Sequence, residues 1–222
     1  MITKVVFMGT PEFAVPSLEV VAALEEVEII TVVTQPDRPA GRGRAMRPSA
    51  VKVRAEMLGL PVWTPPNLKG EVAQARLREL APHLFVVVAY GEILRRAVLE
   101  IPPLDAVNVH ASLLPRHRGA SPIAAALLAG DPVTGVTIMQ MDEGMDTGPV
   151  LAMRGLPILA HDTLGTLSAR LAELGAELLA ETLPDWIENL IEPQPQQHDA
   201  ATYTTLLRRE AGRLDWTKSA QA

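Results

Sequence analysis

The 222 residues include no cysteine, which excludes disulfides and cysteine-ligated zinc sites. That is compatible with a reducing compartment. There is no signal-peptide pattern either. The amino terminus, MITKVVFMGTPEFA, lacks a basic region followed by a long apolar core, and its apolar run Val5–Met8 has only the length of a strand. The longest apolar run, LFVVVAY from Leu84 to Tyr90, falls far short of the about 20 residues that cross a bilayer. These absences lead to the expectation of a soluble, cytoplasmic protein with no membrane partner. Several chemical signatures are missing as well. Gly9-Thr10-Pro11 follows the first strand where a G-x-G-x-x-G turn would sit, but it lacks the further glycines, and Pro11 removes a backbone donor. No Walker loop, G-x-S-x-G elbow or H-E-x-x-H pair occurs, so nucleotide-cofactor, serine-hydrolase and metal readings lose their support. The sequence has no internal repeat.

Acidic residues are in excess, giving a net charge of −6, which argues against a general nucleic-acid binder. The cations are unevenly spread. Residues 38 to 54 hold Arg38, Arg42, Arg44, Arg47, Lys52 and Arg54 and no acid, so the remainder of the chain carries −12. A basic patch on an acidic body points to one local anionic partner. The stretch Gln35–Pro48, QPDRPAGRGRAMRP, is longer than an ordinary strand-to-helix link, and its three prolines and two glycines predict an irregular loop. The bland reading is a solvated charged loop. The alternative is a loop whose arginines grip phosphates.

Strand and helix patterns alternate through the first half. Strands are expected at Lys4–Met8, Val27–Thr34, Val62–Trp63, Leu84–Ala89 and Val107–His110. Helices are expected from near Pro11 to Glu25, from a Ser49 cap to Leu58, over Glu71–Leu80, and from a Ser121 cap with Pro122 at the first position to Leu128. Continuously apolar strands separated by helices mark a parallel sheet covered on both faces. Gly135–Gln140 and Val150–Ile158 then follow each other with no helix between them, which predicts an antiparallel or mixed edge. A long amphipathic helix is expected from Thr163 to about Ile191. The fold class is therefore α/β, a Rossmann-like, mostly parallel sheet flanked by helices.

Asn108 and His110 stand at the carboxyl end of a strand, the edge where open parallel sheets bind ligands. Alternation puts both side chains on one face, a donor pair suited to a developing oxyanion. A carboxylate beside His110 would raise its pKa and favour the imidazolium. Asp142, Glu143 and Asp146, in MDEGMDTGP, are three candidates for that carboxylate. Ser112 is near His110 but has no nucleophile elbow. His83, His161 and His198 read as surface residues, and His117 as a residue lying between arginines.

NVHASLLPRHRGASPI followed by GVTIMQMDEGMDTGPV resembles the core signature of the folate-dependent formyltransferases. The likeness extends from VVFMGTPEFA through VVVAYGEIL to LDW at 214–216. TQPDRPAGRGRAMRPSAVK is similar to the basic insertion of those members that formylate initiator Met-tRNA. The resemblance implies 10-formyltetrahydrofolate as formyl donor, initiator Met-tRNA as partner, no metal, and a monomer in preference to an oligomer. It implies catalytic roles for Asn108, His110 and Asp146, the last holding and charging His110. It also implies a folate wall of Ser112, Leu113, Leu114 and Pro115. The pteridine pocket would fall around Val88 to Leu94, including Tyr90, Gly91 and Leu94, and around Gln140 to Asp146. Arg42, supported by Arg38, Arg44, Arg47 and Lys52, would contact tRNA, and Phe13 would line a methionine pocket. Residues 1–192 would form the catalytic domain, with 193–222 a tail leading to a linker. The family's second, smaller β-barrel domain has no counterpart in these residues. The alternatives are a formyltransferase acting on a nucleotide-sugar or ribonucleotide amine, or a non-catalytic folate- or RNA-binding module.

Overall fold

The computed structural model describes residues 2–40, 45–207, 209–213 and 216–217. Its centre is a seven-stranded sheet. In chain order, β1 (Thr3–Gly9) leads through a single 3-10 turn into α1 (Val15–Ala23) and β2 (Val27–Val33). A two-stranded ribbon, β3 (Arg38–Ala40) and β4 (Ala45–Arg47), precedes α2 (Ala50–Met57) and β5 (Val62–Trp63). Next come α3 (Glu71–Glu79), β6 (Leu84–Val88), α4 (Arg96–Leu99) and β7 (Ala106–His110). The second half adds β8 (Arg118–Gly119), α5 (Pro122–Ala129), β9 (Val133–Gln140), β10 (Val150–Pro157), α6 (Leu164–Ile187) and β11 (Tyr203–Thr204).

The sheet order is β10-β9-β7-β6-β1-β2-β5. The five strands from β7 to β5 run parallel, and β9 pairs antiparallel with both β7 and β10. This is the mixed edge expected from the missing helix between β9 and β10. Both faces of the centre of the sheet are covered, so β6 is apolar throughout and β1 nearly so. Val5, Phe7, Val86, Val107 and Val109 pack towards α1, α2 and α6. Val6, Met8, Phe85, Val87 and Ala106 pack towards Leu68, Leu77 of α3 and Val98 of α4. On the first face α6 lies close, with Gly175 set against Val109, where even an added methyl would be tight.

The local signals are mostly as read, with physical exceptions. Ser49 caps α2 by accepting from Lys52 N at 3.0 Å, and Gly59, with φ of 71°, follows the helix as the stop. Pro11 does not begin a helix. It stays extended, and α1 starts at Val15 with Pro16 in its first turn, because the chain first makes the 3-10 turn Glu12–Ala14. Ser121 makes no cap. Its backbone is left-handed, with φ of 61°, and its side chain makes no capping bond. α6 ends at Ile187 and not near Ile191, since Asn189 turns left-handed with φ of 56°. Residues 35–48 are not irregular throughout, because Arg38–Ala40 and Ala45–Arg47 pair as antiparallel arms. The residues after 192 continue to pack on this body. Gln194 bridges Val150, and β11 pairs with β8. Among the described residues no helix is long and apolar enough to cross a membrane.

Candidate active site

From β1 the chain builds outward on one side through β2 and β5, then returns to the other side at β6. The carboxyl ends of β1 and β6 therefore flank the topological switch point, where such sheets leave a crevice. Thr10, just past β1, ties the two ends together. Its Oγ1 donates to the Tyr90 carbonyl at 2.8 Å and accepts from Gln35 N at 3.4 Å. A cleft of about 560 Å³ opens there, and Phe13, Val87, Tyr90, Asn108, His110 and Asp146 are among the residues that line it.

Asn108 and His110 are two residues apart on β7, opposite Met139 and Thr137 of β9, and both reach the cleft. Among the described residues no partner takes up the Asn108 amide, so its donors remain available to a ligand. His110 is only 6% exposed. Its Nε2 lies 3.0 Å from the His117 carbonyl, which can only accept, so Nε2 carries the hydrogen. Nδ1 faces Asp146, 3.6 Å from Oδ2. Of the three acids in the loop, Asp146 is therefore the one that faces His110. Asp142 is spent on its own turn, accepting from Gly144 N at 3.0 Å and from Thr147 Oγ1 at 2.6 Å.

Asp146 raises the His110 pKa as expected of a neighbouring carboxylate, but the net shift is downward. Burial of the ring is the larger effect and lowers it, while Asp146 and the His117 carbonyl pull it back upward. The downward shift favours the neutral imidazole, with Nδ1 towards the carboxylate. Asp146 itself is held by the Gly119 amide, which donates to Oδ2 at 2.7 Å.

The segments expected to bind folate fall in different places. Tyr90 and Gly91 line the cleft. Val88 is buried on the opposite face of the sheet, and by alternation Val87 takes the cleft position. Leu94 is buried in the apolar cluster beneath Tyr90. Ser112 to Pro115 follow directly on Ala111 of the cleft wall but are not among its lining residues. Ser112 Oγ donates to the Arg116 carbonyl at 2.6 Å, Leu113 packs against Gly135, Leu114 N donates to Thr137 Oγ1 at 3.1 Å, and Leu114-Pro115 is a cis peptide bond. Their visible work is to shape the turn after His110. Met141, from the stretch Gln140 to Asp146 expected there, also lines the cleft, as do Leu164 and Leu207, which were not anticipated and have no local signal beyond being apolar. His117 is not a bystander. Its Nε2 lies 2.7 Å from Asp131 and its carbonyl engages His110.

A second cavity of about 420 Å³ adjoins the first and shares Tyr90 and Gly91 with it, while Gln35, Arg38, Arg47 and Ser49 form its other wall. Arg38 and Arg47 stand directly opposite each other on the ribbon and both are exposed. Like charges so placed repel unless an anion joins them. Arg38 Nη2 also donates to Gln35 Oε1 at 2.8 Å. Lys52 differs from the expectation, because Asp37, just outside the acid-free run, pairs with it at 2.9 Å. Arg42 and Arg44 lie outside the described residues.

Residues 3–183 match the family model described as Formyl transferase. The chain is 54% identical to the methionyl-tRNA formyltransferase of Halorhodospira halophila, over all of this chain and 71% of that protein. It is 52% identical to that of Roseiflexus sp., over 98% of this chain and 67% of the relative. Among solved structures, the phosphoribosylglycinamide formyltransferase of Streptococcus pneumoniae superposes with a TM-score of 0.69 at 27% identity, covering 84% of this chain and 99% of that one. With a switch-point cleft holding an asparagine, a histidine and an aspartate, and with relatives of this identity along its whole length, the chain belongs to the formyl transferase family.

Proposed function

We propose that the chain transfers the formyl group of 10-formyltetrahydrofolate to the amino group of methionine carried by initiator tRNA. The observation that carries this reading is the convergence on one cleft of the Asn108 amide, unengaged among the described residues, with His110 Nδ1 and the Asp146 carboxylate. The paired cations Arg38 and Arg47 line the adjoining cavity. The identity to methionyl-tRNA formyltransferases supports this choice of acceptor.

The acceptor nitrogen attacks the formyl carbon, and the carbonyl electrons move onto oxygen. Asn108 donates to that oxyanion. The nitrogen's proton passes to His110 Nδ1, so the imidazolium forms together with the oxyanion and beside Asp146. Collapse breaks the bond between the formyl carbon and N10. N10 takes up the proton, releasing tetrahydrofolate and restoring neutral His110. Phe13 and Tyr90 would pack on the substrates, with Phe13 facing the methionine side chain. Backbone at Gly91 and the turn at Ser112–Pro115 would frame the donor, and Arg38 and Arg47, with Arg42, Arg44 and Lys52 in support, would meet the phosphates of the acceptor stem. The test is an acceptor comparison with one formyl donor. Transfer to Met-tRNA with none to an amino sugar nucleotide or an amino ribonucleotide supports the reading, and the reverse preference refutes it.

A further inference from the structure

Asp146 reaches His110 from a backbone that residues other than glycine seldom adopt. Its φ is 53°, a conformation that costs on the order of 1–3 kcal/mol unless its surroundings impose it. The Gly119 amide fixes only the carboxylate. The main chain of the loop is held by one side chain from far along the sequence. Gln196 Nε2 donates to the Asp146 carbonyl at 2.9 Å and to the Gly148 carbonyl at 2.6 Å.

The rest of the Gln196 amide is equally committed. Oε1 accepts from Arg118 Nε at 3.0 Å and from Nη2 at 2.6 Å. Arginine can only donate, so the amide has one orientation, with oxygen towards Arg118 and nitrogen towards the two carbonyls. Gln196 is 8% exposed and Arg118 1%. Arg118 is fixed in turn by Tyr203, whose hydroxyl lies 3.3 Å from Nη1, and by His198 Nδ1, 3.1 Å from Nη2. The same stretch of tail grips the support of His110, since Thr202 Oγ1 accepts from His117 N at 2.8 Å. Each of the two facing groups of the site is thus braced by residues between 194 and 204.

Resting on the formyl-transfer reading above, we infer that Gln196 is a positioning residue. It holds the Asp146 loop in the shape that presents the carboxylate to His110, and Arg118 orients it for that task. The requirement is specifically for an amide. A glutamate at 196 would keep its attraction to Arg118 and so keep the tail anchored, but it would offer oxygen to two carbonyls that need donors.

The pair Gln196→Glu and Arg118→Lys tests this, each assayed for transfer from 10-formyltetrahydrofolate to Met-tRNA beside the unaltered chain, with melting curves recorded. Gln196→Glu is expected to lower kcat roughly 10- to 100-fold, with KM for the donor changed less than about twofold, the pattern of a misplaced catalytic group. Arg118→Lys keeps the charge but gives Gln196 one donor in place of two, and is expected to lower kcat roughly 3- to 10-fold in the same way. A lowered melting temperature with unchanged kcat in Gln196→Glu would overturn the inference and leave Gln196 as an anchor of the tail alone. Should that variant melt below the assay temperature, unchanged kcat in Arg118→Lys overturns it equally. No transfer by the unaltered chain would instead refute the functional reading.

Discussion

His110 Nδ1 stands 3.6 Å from Asp146 Oδ2, while the opposite ring nitrogen is bonded to the His117 carbonyl. The two contacts have different consequences. The carbonyl fixes the tautomer, and the carboxylate favours a proton arriving at Nδ1. Burial works against that proton and prevails in the resting site. In the proposed mechanism the histidine acts as a base whose conjugate acid Asp146 helps to stabilise.

This balance sets a pH dependence. With the His110 pKa below its ordinary value of 6.5, the limb that His110 contributes to kcat/KM should have its midpoint below 6.5, apart from the limb of the acceptor's amino group at about 7.7–8.0. The sign for stability follows from the same shift. The unfolded chain takes up the proton more readily than the native ring, so the contribution of neutral His110 is present above about pH 6.5 and lost as pH falls. A pH–rate profile and melting curves between pH 5 and 8 check both. A His110 ring midpoint above 6.5, read by NMR titration of the free chain, would contradict the neutral resting state.

Asp146→Asn removes the carboxylate that pulls the His110 pKa upward. The acid limb should move to lower pH, and kcat should fall by about 10² to 10⁴. A limb that moves upward would mean that another group titrates.

Asn108→Ala deletes an amide that no neighbour among the described residues engages. A loss of about 10² to 10³ in kcat, with the melting temperature preserved, is expected of an oxyanion donor. A stability loss without a kinetic effect would make it a packing residue.

Arg47→Ala should weaken Met-tRNA use, reduce the slope of log affinity against log salt by about 0.7–0.9, and leave donor binding unchanged. It also relieves the repulsion from Arg38 across the ribbon, so the free protein should not be destabilised.

Gly119→Ala tests the frame behind Asp146. Gly119 has φ of 98°, and a Cβ there would lie 2.6 Å from the Thr204 carbonyl and 2.9 Å from Met145 Sδ. Strain of about 1–3 kcal/mol would lower Tm by about 2–4 °C for each kcal/mol. Differential scanning calorimetry reads it directly.

The sheet was legible because its central strands are apolar on both faces and because signals such as the Ser49 cap and the Gly59 stop stand where they are expected. The shared face of Asn108 and His110 was legible for the same reason, since period-two alternation survives any packing. The face of β6 that lines the cleft was not, because helices on both sides bury Val87 and Val88 alike and only the assembled layers tell them apart. The upward pull of a carboxylate on His110 was legible, but the larger downward effect of burial was not, because it depends on the assembled fold. Gln196 lay in a proline- and glutamine-rich run with no periodicity, and its role depends on Arg118, 78 positions away. The partner of Lys52, by contrast, was one residue outside the acid-free run and could have been found there.

The most direct test of formyl transfer at this site is single-turnover transfer to Met-tRNA by His110→Ala, with donor binding measured alongside. A fall of at least about 10²-fold in the rate, with donor affinity unchanged, is predicted. Unchanged transfer with normal donor binding would contradict it and leave a folate- or RNA-binding module without catalysis.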